Sequence, residues 1–339
     1  MMVCGRRIMT GGHGGAGVLP GQGPRALLLA GLLAFVVACV AAPTPVFAAA
    51  NAIVTPTHYA DNVVARGDDT NNLVVNLPFA MNWLGTSYSQ IYINMNGNCT
   101  FVDPYCDSTH TETYKSHHLN TTQYYNSPNP YLPIIAPFFA DVDTSNGGSG
   151  QATYSSVTTP PTINGRNAFI VSWINVMAYN GGAASASTDS FQMVIVDRSD
   201  TGAAGNFDLM FNYNTITWDT GSATASQLGR AVAGWSTAQG LNGSYELGGS
   251  LAPMAGPSAL LDSSAASTSL VQNSLNSGGV LGRYVWQVRN GAAPNSVPVI
   301  TVTNRTLEGN SSTGYTGYTA SNDATATDVD GTMWALTTN

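Results

Sequence analysis

Short apolar stretches alternate with polar residues and stop at Asn- or Gly-rich turns, repeatedly, from about residue 73 to residue 291. In QIYINMNG, residues 90–97, Ile91, Ile93 and Met95 alternate with Tyr92, Asn94 and Asn96. A two-residue period predicts a strand with one buried face and one wet face. Asn96-Gly97 then offers the positive φ that a tight hairpin needs. Similar signals recur in SFQMVIVD (190–197), NFDLMFNY (206–213), TITWDTG (215–221), RAVAGWS (230–236) and RYVWQVRNG (283–291). AFIVSWINV (168–176) is apolar on both faces, as a central strand in a sandwich can be. Only residues 257–277, PSALLDSSAASTSLVQNSLNS, leave room for a short helix. Many short strands joined by turns predict an all-β, antiparallel, sandwich-like fold.

Charge supports that reading. Only 9% of residues are charged, against about 25% in ordinary soluble domains. Solubility must come from Ser, Thr, Asn and Gly, a mixture that suits strands and turns better than helices. The 19 acidic residues outnumber the 11 Lys and Arg, for a net charge of −8. A phosphate backbone attracts the opposite sign, so nucleic acid is not an expected partner.

Arg6, Arg7 and Arg25 precede ALLLAGLLAFVVACVAA (26–42), and small residues follow at Ala48 to Ala50. Basic, apolar, then small is the order of a secretory signal, here residues 1–50, with cleavage after Ala48 or Ala50. The alternative is a lipoprotein box, VVAC, which would leave Cys39 as a lipid anchor. No other stretch is long and apolar enough to form a transmembrane helix, so none is expected in the mature chain. Residues 51–72 read as a polar leader. Cys4 and Cys39 lie in the signal, so an exported chain keeps Cys99 and Cys106. That close pair is expected to form a disulfide, with two unpaired thiols as the alternative.

The acidic residues carry the main chemical question. PIIAPFFADVDTSNGG (133–148) ends its apolar run in Asp141 and Asp143. Three readings compete. The carboxylates accept N–H groups of the following turn. Or, with Ser145, Asn146 and loop carbonyls, they ligate calcium, although the spacing departs from an EF-hand loop. Or they act as a glycosidase pair. A second pair, Asp328 and Asp330 in DVDG, offers the same choice between a solvated turn and calcium. His110, Glu112, His117 and His118 cluster in THTETYKSHH (109–118), as a wet loop or a metal site. Tyr124, Tyr125 and Tyr131 would form a contact loop for sugars or peptides if exposed. No GxSxG elbow, HExxH or phosphate-binding loop occurs.

Several segments resemble one family in its own order: YINMNG, PIIAPFFADVDT, DSFQMVIV, FDLMFNYNTITWDTG, AVAGWS and GRYVWQV. From about Leu73 to Gly291 the chain resembles the nidogen-like extracellular (NIDO) domain, with Phe139 where the family's usual tryptophan stands. Residues 292–339 resemble the first part of a hyalin-repeat (HYR), immunoglobulin-like module of bacterial surface proteins. The resemblance implies a secreted or surface-exposed, non-catalytic module for adhesion to an extracellular matrix or cell-surface macromolecule. A passive spacer in a longer surface protein and a carbohydrate-binding or carbohydrate-active protein are the alternatives. Calcium is the only cofactor expected.

Overall fold

The computed structural model describes residues 51–69, 73–83, 85–101, 116, 118–119, 133–181, 183, 185–221, 230–237, 243–253, 256–265 and 267–292, with the backbone of 299–302 and 324–327. Two antiparallel sheets face each other. One contains β2 (Leu73–Trp83), β3 (Thr86–Asn94), β4 (Asn98–Thr100), β5 (Pro133–Phe139), β12 (Val232–Thr237) and β13 (Ser244–Glu246), in the order β13-β12-β5-β4-β3-β2. The other contains β1 (Asn62–Val63), β7 (Gln151–Tyr154), β9 (Arg166–Ala178), β10 (Asp189–Asp197), β11 (Phe207–Thr215) and β14 (Arg283–Val288), in the order β1-β7-β9-β10-β11-β14. The short strands β6 (Val142–Asp143) and β8 (Thr162–Ile163) also pair with β9. β15 (Val299–Val302) and β16 (Ala324–Thr327) form a separate antiparallel pair. The fold is all-β, as the alternation predicts. Among the described residues no helix is long and apolar enough to cross a membrane.

The period-two pattern works because each strand lends alternate residues to the space between the sheets. Phe191, Met193 and Ile195 of β10 point into it, beside Phe207, Leu209 and Phe211 of β11. Trp173 stacks on Phe191 at 5.1 Å, and Phe191 meets Phe138 of the opposite sheet at 5.2 Å. Fully burying an aromatic of this size stabilises by about 1.5–3 kcal/mol. On the other face of this sheet, Ala168, Ile170, Val194 and Val196 pack with Val54, Tyr59, Ile163 and Met210.

Four local expectations change. Of the expected leader over 51–72, the described part, 51–69, belongs to the fold: Ala52 and Val64 are fully buried, and β1 pairs with β7. Asn214 Oδ1 accepts the Ala52 and Ile53 amides, and Gln192 binds both the N–H and the C=O of Val54. The described residues of 257–277 form turns and bends rather than a helix, their apolar side chains Leu260, Leu270 and Val271 being drawn into the core. The strand expected over 215–221 ends at Thr215, because Asp189 Oδ1 accepts the amides of Thr217 and Trp218 and turns the chain away. The face of residues 90–97 expected to be wet is buried at Asn94 and Asn96. The hairpin itself forms. Gly97 has φ +70°, and a Cβ there would stand 1.9 Å from the Phe138 carbonyl oxygen, so glycine alone fits.

Candidate functional site

Hairpin β3–β4 lies against the end of β5, and that contact builds the site. Asn96, in the turn, accepts the Val142 amide on Oδ1 at 2.8 Å and donates from Nδ2 to Asp69 Oδ1 at 2.6 Å. One buried amide thus ties the DVD segment to residues 68–69, which the sequence places more than seventy positions away. Asp68 pairs with Asp143 as an antiparallel bridge, and the Thr144 amide donates to the Gly67 carbonyl.

This arrangement brings Asp68, Asp69 and Asp141 together, with one carboxylate oxygen of each within 4.8 Å of the others. Asp141 is buried and the other two half-buried. Gly221 closes one side: a Cβ there would lie 2.3 Å from Asp141 Oδ2. Burial, then the charges of Asp69 and Asp143, push Asp68 from 3.8 up to about 7. Carboxylates this close resist being ionised together unless a proton or a cation sits among them.

Asp143, the second residue of the sequence pair, does something different. Its Oδ1 accepts the Ser145 amide at 2.7 Å and the Ser145 hydroxyl at 2.6 Å, the turn-forming role. The loop carbonyls expected around calcium face a cation already in the chain. Arg66 Nη1 donates to the carbonyls of Thr144 and Ser149 at 2.9 Å each, with Gly150 at 3.3 Å and Asn146 at 3.5 Å. The carbonyls of this loop thus face Arg66, while the Asp141 carboxylate lies with those of Asp68 and Asp69. Periodicity offers no signal for that meeting, since it depends on where the N-terminal segment docks.

Cys99 is a buried free thiol in the core, and burial pushes its pKa up. Cys99, expected in a disulfide, packs with the core aliphatics. Its expected partner Cys106 lies outside the described residues, as do Cys39, Tyr124, Tyr125, Tyr131, Asp328 and Asp330. Of the histidine cluster, His118 Nδ1 pairs with Glu246 Oε2 at 2.9 Å, and His110, Glu112 and His117 lie outside the description.

Comparison with known proteins gives the lineage. The nidogen-like domain matches residues 89–290, more than half of the chain. The chain belongs to the nidogen-like domain family. Alpha-tectorin of Mus musculus is 25% identical over 204 residues, 54% of this chain and 8% of its own. Nidogen-2 of Mus musculus is 26% identical over 167 residues, 42% of this chain and 11% of its own. Alpha-tectorin of Gallus gallus is 24% identical over 203 residues. The chain thus spans about a tenth of the length of the curated relatives it matches. No solved structure gives a significant match. In this nidogen-like domain Asp141 and Gly221 fall inside the matched stretch, whereas Arg66, Asp68 and Asp69 precede it. The carboxylate cluster joins the family segment to chain that lies outside it.

Proposed function

We propose that this nidogen-like domain is an exported, non-catalytic adhesion module that recognises an extracellular matrix or cell-surface macromolecule. The match across residues 89–290 carries the reading, because both sheets of the sandwich are built largely from that stretch. A two-sheet frame with a continuous aromatic core is a scaffold that can present loops to a partner, which suits recognition. The leader at residues 1–50 supports a secreted or surface location, freely released or held by lipid at Cys39. The reading is tested by passing the protein over immobilised matrix proteins and glycans. Selective, saturable retention with the ligand recovered intact supports it; conversion of the ligand counts against it.

A second reading concerns calcium. Asp68, Asp69 and Asp141 present three hard oxygen ligands within 4.8 Å, the donor chemistry calcium prefers. A bound ion would relieve the repulsion among them and fasten the N-terminal segment to β5. Calorimetric titration with calcium, repeated on Asp141→Asn, tests this; equal heats from both proteins would remove the cluster from consideration.

A further inference from the structure

The outer face of the sheet that holds β9, β10 and β11 ends in a cleft of about 370 Å³. Its floor is Val196 and Met210, continuous with the apolar cluster that the N-terminal segment covers elsewhere on this face. Its rim holds Arg166, Arg198, Asp200 and Asp208. The concentration of charge is unusual here, since the whole chain has only 11 basic residues. Three of them, Arg166, Arg198 and Arg289, converge on two carboxylates.

The pairing leaves an imbalance. Asp208 has both oxygens engaged, Oδ2 by Arg198 Nη1 and Oδ1 by Arg289 Nη2, each at 2.6 Å. Asp200 is engaged likewise, Oδ1 by Arg198 Nε at 3.1 Å and Oδ2 by Arg166 Nη2 at 3.0 Å. Three guanidinium groups against two carboxylates leave one positive charge on a chain of net charge −8. Arg166, at 47% side-chain exposure, uses only Nη2 in this network. Its remaining N–H donors form a planar fork suited to a carboxylate. The rim therefore keeps unused N–H donors on Arg166, set over an apolar floor. Asn164, at the hairpin tip beside Arg166, adds an amide able to pair with a peptide group.

We propose that this cleft binds a peptide C-terminus whose last side chain is apolar, with the carboxylate on Arg166 and the side chain over Val196 and Met210. The volume lies in the range of small-ligand pockets, and the Asn164 amide favours a peptide over a simple aliphatic acid. The inference stands apart from the calcium reading and names a ligand chemistry that the adhesion reading leaves open.

The test uses the full chain carrying ¹³C-methyl methionine. It is titrated with acetyl-Gly-Gly-Leu as the free acid, with the same peptide as its amide, and with octanoate. The free acid is expected to shift the Met210 methyl signal saturably, and the amide to leave it unmoved. Arg166→Gln is expected to weaken binding about tenfold, the size of a lost charge-assisted contact. Asp200→Asn frees the fork and is expected to tighten binding, a direction that damage to the fold would not produce. Equal binding of acid and amide, an unmoved Met210 signal, or unchanged affinity in both variants would overturn the site. Octanoate binding without the peptide would overturn the peptide assignment. A failure of retention on matrix ligands leaves all these readouts intact, so the two readings fail separately.

Discussion

Arg66 donates to the Thr144 carbonyl at 2.9 Å across 78 residues of sequence, and the same nitrogen reaches the Ser149 carbonyl at 2.9 Å. A cation from the N-terminal segment thereby organises the loop that follows the DVD motif. Arg66→Met keeps the aliphatic stem and removes the donors. Because the side chain is exposed, we expect a loss of only about 1 kcal/mol, with faster hydrogen exchange confined to residues 144–150. Unchanged exchange in that loop would show that the guanidinium does not hold it.

The two aspartates of the DVD motif are expected to separate by function. At free calcium of about a hundred times Kd, linkage would add about 2.7 kcal/mol to stability, so calcium should raise the melting temperature and EDTA should lower it. Asp141→Asn should abolish that response. Asp143→Asn should keep it while losing about 1 kcal/mol from the weakened turn at Ser145. A melting temperature indifferent to calcium and EDTA in the parent protein would sink the calcium reading.

Asp68 gives the calcium-free protein a pH dependence of defined sign. Its pKa is raised from 3.8 to about 7 in the folded state, so folding favours the protonated form. That stabilising effect is complete below pH 3.8 and is lost as pH rises through about 7. Asp68→Asn should flatten this part of the stability profile. It should also exceed the parent in stability at pH 8, by about 1 kcal/mol once half-exposure is allowed for. A parent whose stability rises over the same interval, with no difference in the variant, would contradict this assignment.

Cys99 should be inert to alkylation in the native protein, since burial both blocks access and disfavours the thiolate. After unfolding without reductant, the peptide carrying Cys99 should take up iodoacetamide. Labelling that requires prior reduction would mean that Cys99 is in a disulfide.

The sandwich was legible because alternation has one cheap solution. Ile91, Ile93, Phe191, Met193 and Ile195 must leave water together, and facing sheets allow it. Alternation misleads where side chains compete with that rule. Asn94 and Asn96 alternate like solvent-facing residues, but Asn94 Nδ2 donates to Asn98 Oδ1 at 2.7 Å, and Asn96 bridges Asp69 and Val142, so both can be buried. The candidate site was legible only in part. Asp141 stands out in its motif, whereas Asp68 and Asp69 become its neighbours through a docking that no local pattern encodes. Arg66 is hidden for the same reason, because its partners are backbone carbonyls and carry no residue identity.

The most direct test of the adhesion account measures retention and product formation together, on one panel of immobilised matrix proteins and glycans. The account predicts selective, saturable retention with every ligand recovered chemically unchanged. Release of cleaved or modified ligand would contradict it, and so would passage through the whole panel without retention.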